Sequence, residues 1–182
     1  PYGPLREPGS ALRNASAVIF RGDAVPLPSN VDYPPWFEGQ LVWRSIISLP
    51  EWLDQRFDSS LEPSHFPQKT IQLVSGIANP NRLEKQARDY GFRVISHIRY
   101  PDHHWFSAEE LELVAARAGS HPILLTEKDA VRLLPLGEPS LMRYSALYVI
   151  RAEWCMRNEA VFTDWLLNCL EVEKRSRKDM NS

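Results

Sequence analysis

Lys69-Thr70-Ile71-Gln72-Leu73-Val74-Ser75-Gly76 decides the fold, together with the three apolar runs that answer it downstream: Phe92-Arg93-Val94-Ile95-Ser96, Pro122-Ile123-Leu124-Leu125 and Leu147-Tyr148-Val149-Ile150. Each has strand length, and helical patterns separate them. The spacing predicts a helix from about Asn81 to Tyr90, closed by Gly91 in the left-handed cap position. Ser107-Ala108-Glu109-Glu110 is a capping box, with Ser107 as N-cap and Glu110 three residues on. That helix carries Leu111, Val114, Ala115 and Ala118 on one face and stops near Gly119. Glu127 to Leu133 reads as a short helix, and Glu159 to about Lys174 as a last one with an apolar stripe of Phe162, Trp165, Leu166, Cys169 and Leu170.

Strand and helix alternating at this spacing predict an α/β fold, a mostly parallel sheet with flanking helices. Such sheets bind ligands outside the carboxyl ends of their strands. The chemistry is therefore sought in residues 75–81, 97–104, 126–129 and 151–154. Upstream the pattern changes. Seven prolines fall between Pro26 and Pro67, and Trp36, Trp43 and Trp52 stand among them. Leu41 to Ile47 is a strand candidate there, but the prolines keep helices short. Further upstream, Ala17-Val18-Ile19-Phe20 is a compact strand before Gly22-Asp23, preceded by a short helix opened by Pro8.

Composition narrows the function. The 182 residues carry 21 basic and 23 acidic side chains, a net charge of −2, so nothing in the bulk charge points to nucleic acid. Two cysteines, Cys155 and Cys169, are too few for a disulfide scaffold and lack zinc-site spacing. They are expected as reduced thiols. No apolar run approaches the roughly 20 residues of a membrane-spanning helix. No internal repeat or low-complexity tract is present. The chain opens on Pro1 rather than Met, and a piece of a longer protein is expected.

Four strings carry candidate chemistry, and each has a plainer reading. Pro101-Asp102-His103-His104 follows a strand and precedes the capped helix. An aspartate beside histidines suits acid–base work or orientation of an imidazole, or else Asp102 caps a polar turn. Thr126-Glu127-Lys128-Asp129 can set Lys128 near an anion at a helix start, or simply cap the helix through Thr126. Gly3-Pro4-Leu5-Arg6-Glu7-Pro8 is a stiff backbone that aims Arg6, whose planar fork suits phosphate; the alternative is a linker with a surface ion pair. The turn Ser75 to Arg82 holds one glycine and is not GxGxxG. No GxxxxGK[ST] loop occurs anywhere, so these residues alone build no Walker A phosphate cradle. Most of the Trp and Tyr side chains are expected in the core.

In this order, Gly3-Pro4-Leu5-Arg6-Glu7-Pro8, Ala17-Val18-Ile19, Gly76-Ile77-Ala78-Asn79-Pro80-Asn81-Arg82, Tyr100-Pro101-Asp102-His103-His104-Trp105-Phe106 and Leu125-Thr126-Glu127-Lys128-Asp129-Ala130-Val131 resemble the tetraacyldisaccharide 4'-kinase family, the lipid A 4'-kinases of Gram-negative bacteria. The resemblance covers nearly the whole chain and the carboxyl-terminal half of the family's length. One departure is Ala78-Asn79-Pro80, where the family commonly shows Gly-Asn-Pro; another is Leu83, where an aromatic residue usually follows the arginine.

The resemblance implies a P-loop kinase of two α/β lobes joined by a β linker, with a Rossmann-like second lobe. Residues 1–23 would end the first lobe, 24–67 form the linker, 68–175 the second lobe and 176–182 a frayed tail. It implies transfer of the ATP γ-phosphate to the 4' hydroxyl of a tetraacyldisaccharide 1-phosphate, making lipid IVA in lipid A biosynthesis. ATP and Mg²⁺ would be held mainly by the amino-terminal half, so this stretch alone is expected to be inactive and to hold no metal. His103 would match the family histidine that pairs with an aspartate of the other lobe to activate the sugar hydroxyl, with Asp102 orienting the loop. Arg6 would lie near the nucleotide phosphates, Glu7 would hold Arg6 or reach the metal's surroundings, and Lys128 would make a substrate or structural contact. The implied partners are the lipid disaccharide and the membrane surface, with a monomer at the cytoplasmic face of the inner membrane and no nucleic acid. Two competing expectations are a stand-alone α/β binding or interaction module, and a metal-dependent hydrolase centred on His103 and His104.

Overall fold

In a computed structural model, residues 14–22, 34–144 and 146–180 are described. Arg6, Glu7 and the helix expected after Pro8 lie outside them. The chain divides into two compact units, Trp43–Glu153, and Pro1–Val42 with Trp154–Ser182. Two strands, β2 (Trp36–Ser48) and β6 (Leu147–Met156), cross the boundary between the units in sequence.

The larger unit is built on β3 (Thr70–Ser75), in which Ile71 to Ser75 are all buried. β4 (Arg93–Arg99) pairs with it in parallel on one side and β5 (Ile123–Thr126) on the other. β6 pairs in parallel with β5, and the strand order across this unit is β2, β6, β5, β3, β4. Side chains alternate across the buried strands with the period of two that a pleated strand imposes. Leu73 and Leu124 enter one apolar cluster with Trp43, Ile46, Phe66, Leu83, Ala87 and Phe92. Val74 and Leu125 enter another, with Ile47, Phe106, Leu111, Val114, Leu133 and Val149. A strand buried on both faces needs a continuous apolar run, which is why β3 and β5 are so plain in the sequence.

The helices follow their local signals. α1 (Leu49–Leu53) continues directly from β2. In α2 (Pro80–Asp89), Asn79 caps the amino end by accepting from the Arg82 amide at 3.1 Å, and Pro80 fills a position where no N–H is needed. Gly91 follows at φ 83°, a conformation that glycine adopts without strain. The capping box of α3 (Ala108–Ala118) is complete: Ser107 Oγ accepts from the Glu110 amide, and the Glu110 carboxylate accepts from the Ser107 amide. α4 (Glu127–Leu133) starts directly after β5, with Thr126 as its cap, and α5 (Glu138–Leu141) is a single turn.

Two strands outrun their apolar runs. β4 continues through His97, Ile98 and Arg99, and β6 through Arg151 to Met156, segments expected as loops after the strands. Backbone pairing does not depend on apolar side chains, and β4 has no fully buried position: Arg93, Ile95 and Arg99 are exposed and the other four residues are half-buried. Three tryptophans of the proline-rich segment part company. Trp43 stacks on Tyr90 at 5.2 Å in the core and Trp52 packs against the other cluster, while Trp36 is exposed.

In the smaller unit, β1 (Val18–Arg21) pairs in parallel with the start of β2. The Trp154 indole lies where a Gly39 side chain would be; a Cβ there would stand 2.5 Å from its Nε1. α6 (Glu159–Met180) sets Phe162 and Trp165 against Phe37, at ring distances of 5.0 and 5.3 Å. Leu166, Cys169 and Leu170, expected in the same packed stripe, are exposed among the described residues. The helix runs to Met180, past Lys174, through a stretch that holds three good helix-forming basic residues, Arg175, Arg177 and Lys178, and no Gly or Pro. No described helix is long and apolar enough to cross a membrane.

Candidate active site

At the carboxyl end of β3 the chain turns at Gly76, and both polar groups of that peptide are claimed by charged side chains. Gly76 N–H donates to Asp129 Oδ1 at 3.0 Å, while Gly76 C=O accepts from Arg132 Nη1 at 2.6 Å. Asp129 is 1% exposed and Arg132 9%. They stand three residues apart on α4, and Arg132 Nη1 also reaches Asp129 Oδ1 at 3.3 Å. Thr126 donates its hydroxyl to Asp129 Oδ2 at 2.7 Å. A buried charge pair of this kind persists only when its remaining lone pairs and protons are satisfied, and here the strand terminus satisfies them.

The Pro101–His104 loop is seated on this clamp. Tyr100 N–H donates to Ser75 C=O at 2.8 Å, and His103 N–H to Gly76 C=O at 3.1 Å. His103 has φ 65°, the left-handed region that is costly for a non-glycine residue. Its amide is also held by Asp102 Oδ1 at 3.0 Å. The side chain is open: the imidazole is 83% exposed, with Nδ1 3.3 Å from Arg132 Nη2 and Nε2 3.6 Å from Asp102 Oδ2. Gly76 is needed here for space, since a Cβ would lie 3.1 Å from Pro101 O and 3.2 Å from His104 Cβ.

His103 and His104 face different partners. His104 Nε2 lies 2.9 Å from Glu110 Oε2, and its ring stacks on Tyr100 at 4.4 Å and meets Phe106 edge-on. It ties the loop to the capping box of α3. Among the described residues no cluster of three or more His, Cys, Asp or Glu is arranged for a metal ion. With no GxxxxGK[ST] loop in the sequence either, the described residues do not fit a nucleotide–metal site of their own.

Of the residues singled out in the sequence, the structure brings Asp102 and His103 into this cluster. Lys128 is exposed on the first turn of α4 and is not part of it. Asp129 and Arg132 were missed. An acid and a base three apart on a helix ordinarily mark a solvated ion pair; the one signal for burial is that their helix follows directly on a strand whose first three residues are apolar and buried.

A second polar cluster lies beside the first. His97 projects from β4 with its side chain 4% exposed, Nε2 2.8 Å from Ser75 Oγ and Nδ1 3.1 Å from Glu84 Oε2. Hydrogen bonds from Arg88, then Arg99, then His97 hold the Glu84 carboxyl down at about 2. Burial pushes the His97 imidazole below its ordinary value, with Glu84 opposing. Ser75 is wholly buried, so this Ser–His–Glu chain ties α2 to the ends of β3 and β4 and offers no accessible nucleophile.

A family described as tetraacyldisaccharide-1-P 4'-kinase, LpxK, matches residues 1–171. The chain belongs to that family. Among its relatives, a tetraacyldisaccharide 4'-kinase of Halorhodospira halophila is 32% identical over 144 residues, 79% of this chain and 38% of that protein. One from Alkalilimnicola ehrlichii is 36% identical over 137 residues, 75% of this chain and 36% of that protein. The chain thus spans little more than a third of the length of these LpxK relatives. A crystal structure of LpxK from Aquifex aeolicus in complex with ATP superposes with a TM-score of 0.58 at 19% identity, over 92% of this chain and 47% of that one. That likeness agrees with the mostly parallel α/β fold expected from the sequence.

Proposed function

We propose that this chain is part of a lipid A 4'-kinase, which transfers the γ-phosphate of ATP to the 4' hydroxyl of a tetraacyldisaccharide 1-phosphate and yields lipid IVA. The observation that carries this reading is the Pro101–His104 loop, held at the carboxyl ends of the strands with the His103 ring open to a ligand. Family membership favours it over a stand-alone binding module. ATP and Mg²⁺ are cofactors of the full-length enzyme, held mainly by the amino-terminal half of the family's length; when bound they supply the phosphoryl group and neutralise its charge. Residues 1–23 end the nucleotide-binding lobe, 24–67 link the lobes, and 68–175 form the second lobe. In this reading Arg6 contacts phosphate near the nucleotide, Glu7 holds Arg6 or reaches the metal's surroundings, and Lys128 makes a substrate or structural contact. The enzyme works as a monomer on the cytoplasmic face of the inner membrane, bound peripherally.

Phosphoryl transfer asks mainly for positioning and electrostatic stabilisation. In this reading the second lobe delivers His103 to the sugar hydroxyl, where with a carboxylate it helps to draw off the hydroxyl proton. Asp102 holds the loop that carries it, through the His103 amide. Closure around the reacting groups excludes water. The test is transfer of label from γ-labelled ATP to tetraacyldisaccharide 1-phosphate by the full-length protein with Mg²⁺. Labelled product that is phosphorylated at the 4' position is the expected outcome. A full-length, folded protein that binds ATP and leaves the lipid unlabelled contradicts the proposal.

A further inference from the structure

The loop that carries His103 turns its side chains alternately outward and inward. His103 is exposed, His104 half-buried, Trp105 exposed and Phe106 buried. The inward pair meets: the His104 and Phe106 rings lie edge-on at 5.2 Å, as residues two apart do on one side of an extended stretch. His103 and Trp105 are thereby left together on the other side. Two residues of chain span at most about 7 Å between Cα atoms, comparable with the breadth of one substituted sugar ring. We propose that Trp105 is a substrate-binding residue, whose indole packs flat against the sugar that carries the reacting 4' hydroxyl, beside His103.

Three observations support this. First, the indole is 63% exposed, the most open of the six tryptophans, and it stacks on no other ring among the described residues. Second, this is not the exposure of a slack loop. His104 stacks on Tyr100 at 4.4 Å and is held by Glu110 at 2.9 Å, while Phe106 is 5% exposed. Trp105 is pinned through both neighbours, so little ordering remains to be lost when a ligand covers it. Third, the chemistry matches. A sugar carries hydroxyls at its rim and C–H groups on its faces. A flat aromatic ring covers such a face, and the indole N–H, a donor only, can reach a hydroxyl. An aromatic wall with a polar group beside it is how small-molecule sites fix orientation.

This names a contact for the lipid acceptor and rests on the kinase reading for the identity of that sugar. The full-length enzyme is assayed with ATP, Mg²⁺ and tetraacyldisaccharide 1-phosphate in detergent micelles. In Trp105→Ala the KM for the lipid should rise about tenfold, with kcat and the KM for ATP within about twofold, the pattern of lost uniform binding. Trp105→Phe keeps a flat ring and should stay within about threefold of wild type, whereas Trp105→Leu, apolar but not flat, should resemble Trp105→Ala. An unchanged lipid KM in Trp105→Ala overturns the inference, while labelled product from the wild type leaves the kinase reading standing. A leucine variant equal to wild type also overturns it, because the contact is then a merely apolar one with acyl chains or micelle. Binding is read without turnover from tryptophan emission as the lipid is added in the absence of ATP, against empty micelles. The wild type should show a change that Trp105→Phe lacks. The same change with empty micelles, or in both proteins, overturns the inference. If the wild type transfers no phosphate, the kinase reading fails and the emission difference alone decides the contact.

Discussion

At the scale of single residues, His97 and Glu84 set an acid limit on stability. Burial depresses the His97 pKa, and the hydrogen bonds from Arg88, Arg99 and His97 depress that of Glu84 to about 2. A depressed folded-state pKa stabilises above the unfolded value and is lost as pH falls through the folded one. For His97 the loss begins below its ordinary 6.5; for Glu84 it lies between 4.5 and about 2. The thermal unfolding midpoint of the full-length protein should therefore drop as pH falls below the ordinary 6.5 of His97, and further below 4.5 as Glu84 titrates. Glu84→Gln should flatten the lower part of the curve. A midpoint independent of pH over the upper range contradicts the account of His97. Little of this was legible in the sequence. His97 stands after Ile95-Ser96, where a polar residue reads as the loop that follows a strand, and only the pairing of β4 with β3 through Arg99 puts it under cover.

Among elements, β3, α4 and the loop after β4 act together, and Gly76 is their meeting point. Its amide and carbonyl bind Asp129, Arg132 and His103, and the space beside it is filled by Pro101 and His104. In Gly76→Ala the added methyl would press on the Pro101 carbonyl, and the loop would give by a few tenths of an ångström. Because reacting groups tolerate little misplacement, turnover of the full-length kinase should fall about tenfold while KM for ATP stays within about twofold. Steady-state kinetics on the variant check this, and unchanged turnover would mean that the loop position does not matter to the chemistry. The elements themselves were readable. The capping box at Ser107 and the apolar runs of β3 and β5 rest on local rules that tertiary packing did not override, whereas the cap of α2 at Asn79 was not foreseen. The ends of β4 and β6 were not readable, because Arg99, Arg151 and Glu153 lie on strands whose pairing, not their side chains, keeps them extended.

For the molecule as a whole, the order of motifs carried more than any one of them. Asp102-His103 by spacing alone had a plainer reading as a capped turn, and Asp102 does hold that turn. Thr126 likewise is an ordinary helix cap, while the residue of its motif that shapes the site is the buried Asp129 and not the exposed Lys128. A buried Asp–Arg pair looks on paper like any surface ion pair, so this half of the site needed the fold to be seen. Kinetics of His103→Ala in the full-length enzyme, with ATP and tetraacyldisaccharide 1-phosphate, decide whether His103 serves the chemistry. Turnover should fall by about 10² or more with ATP affinity changed far less. Wild-type turnover in a folded His103→Ala enzyme would contradict it.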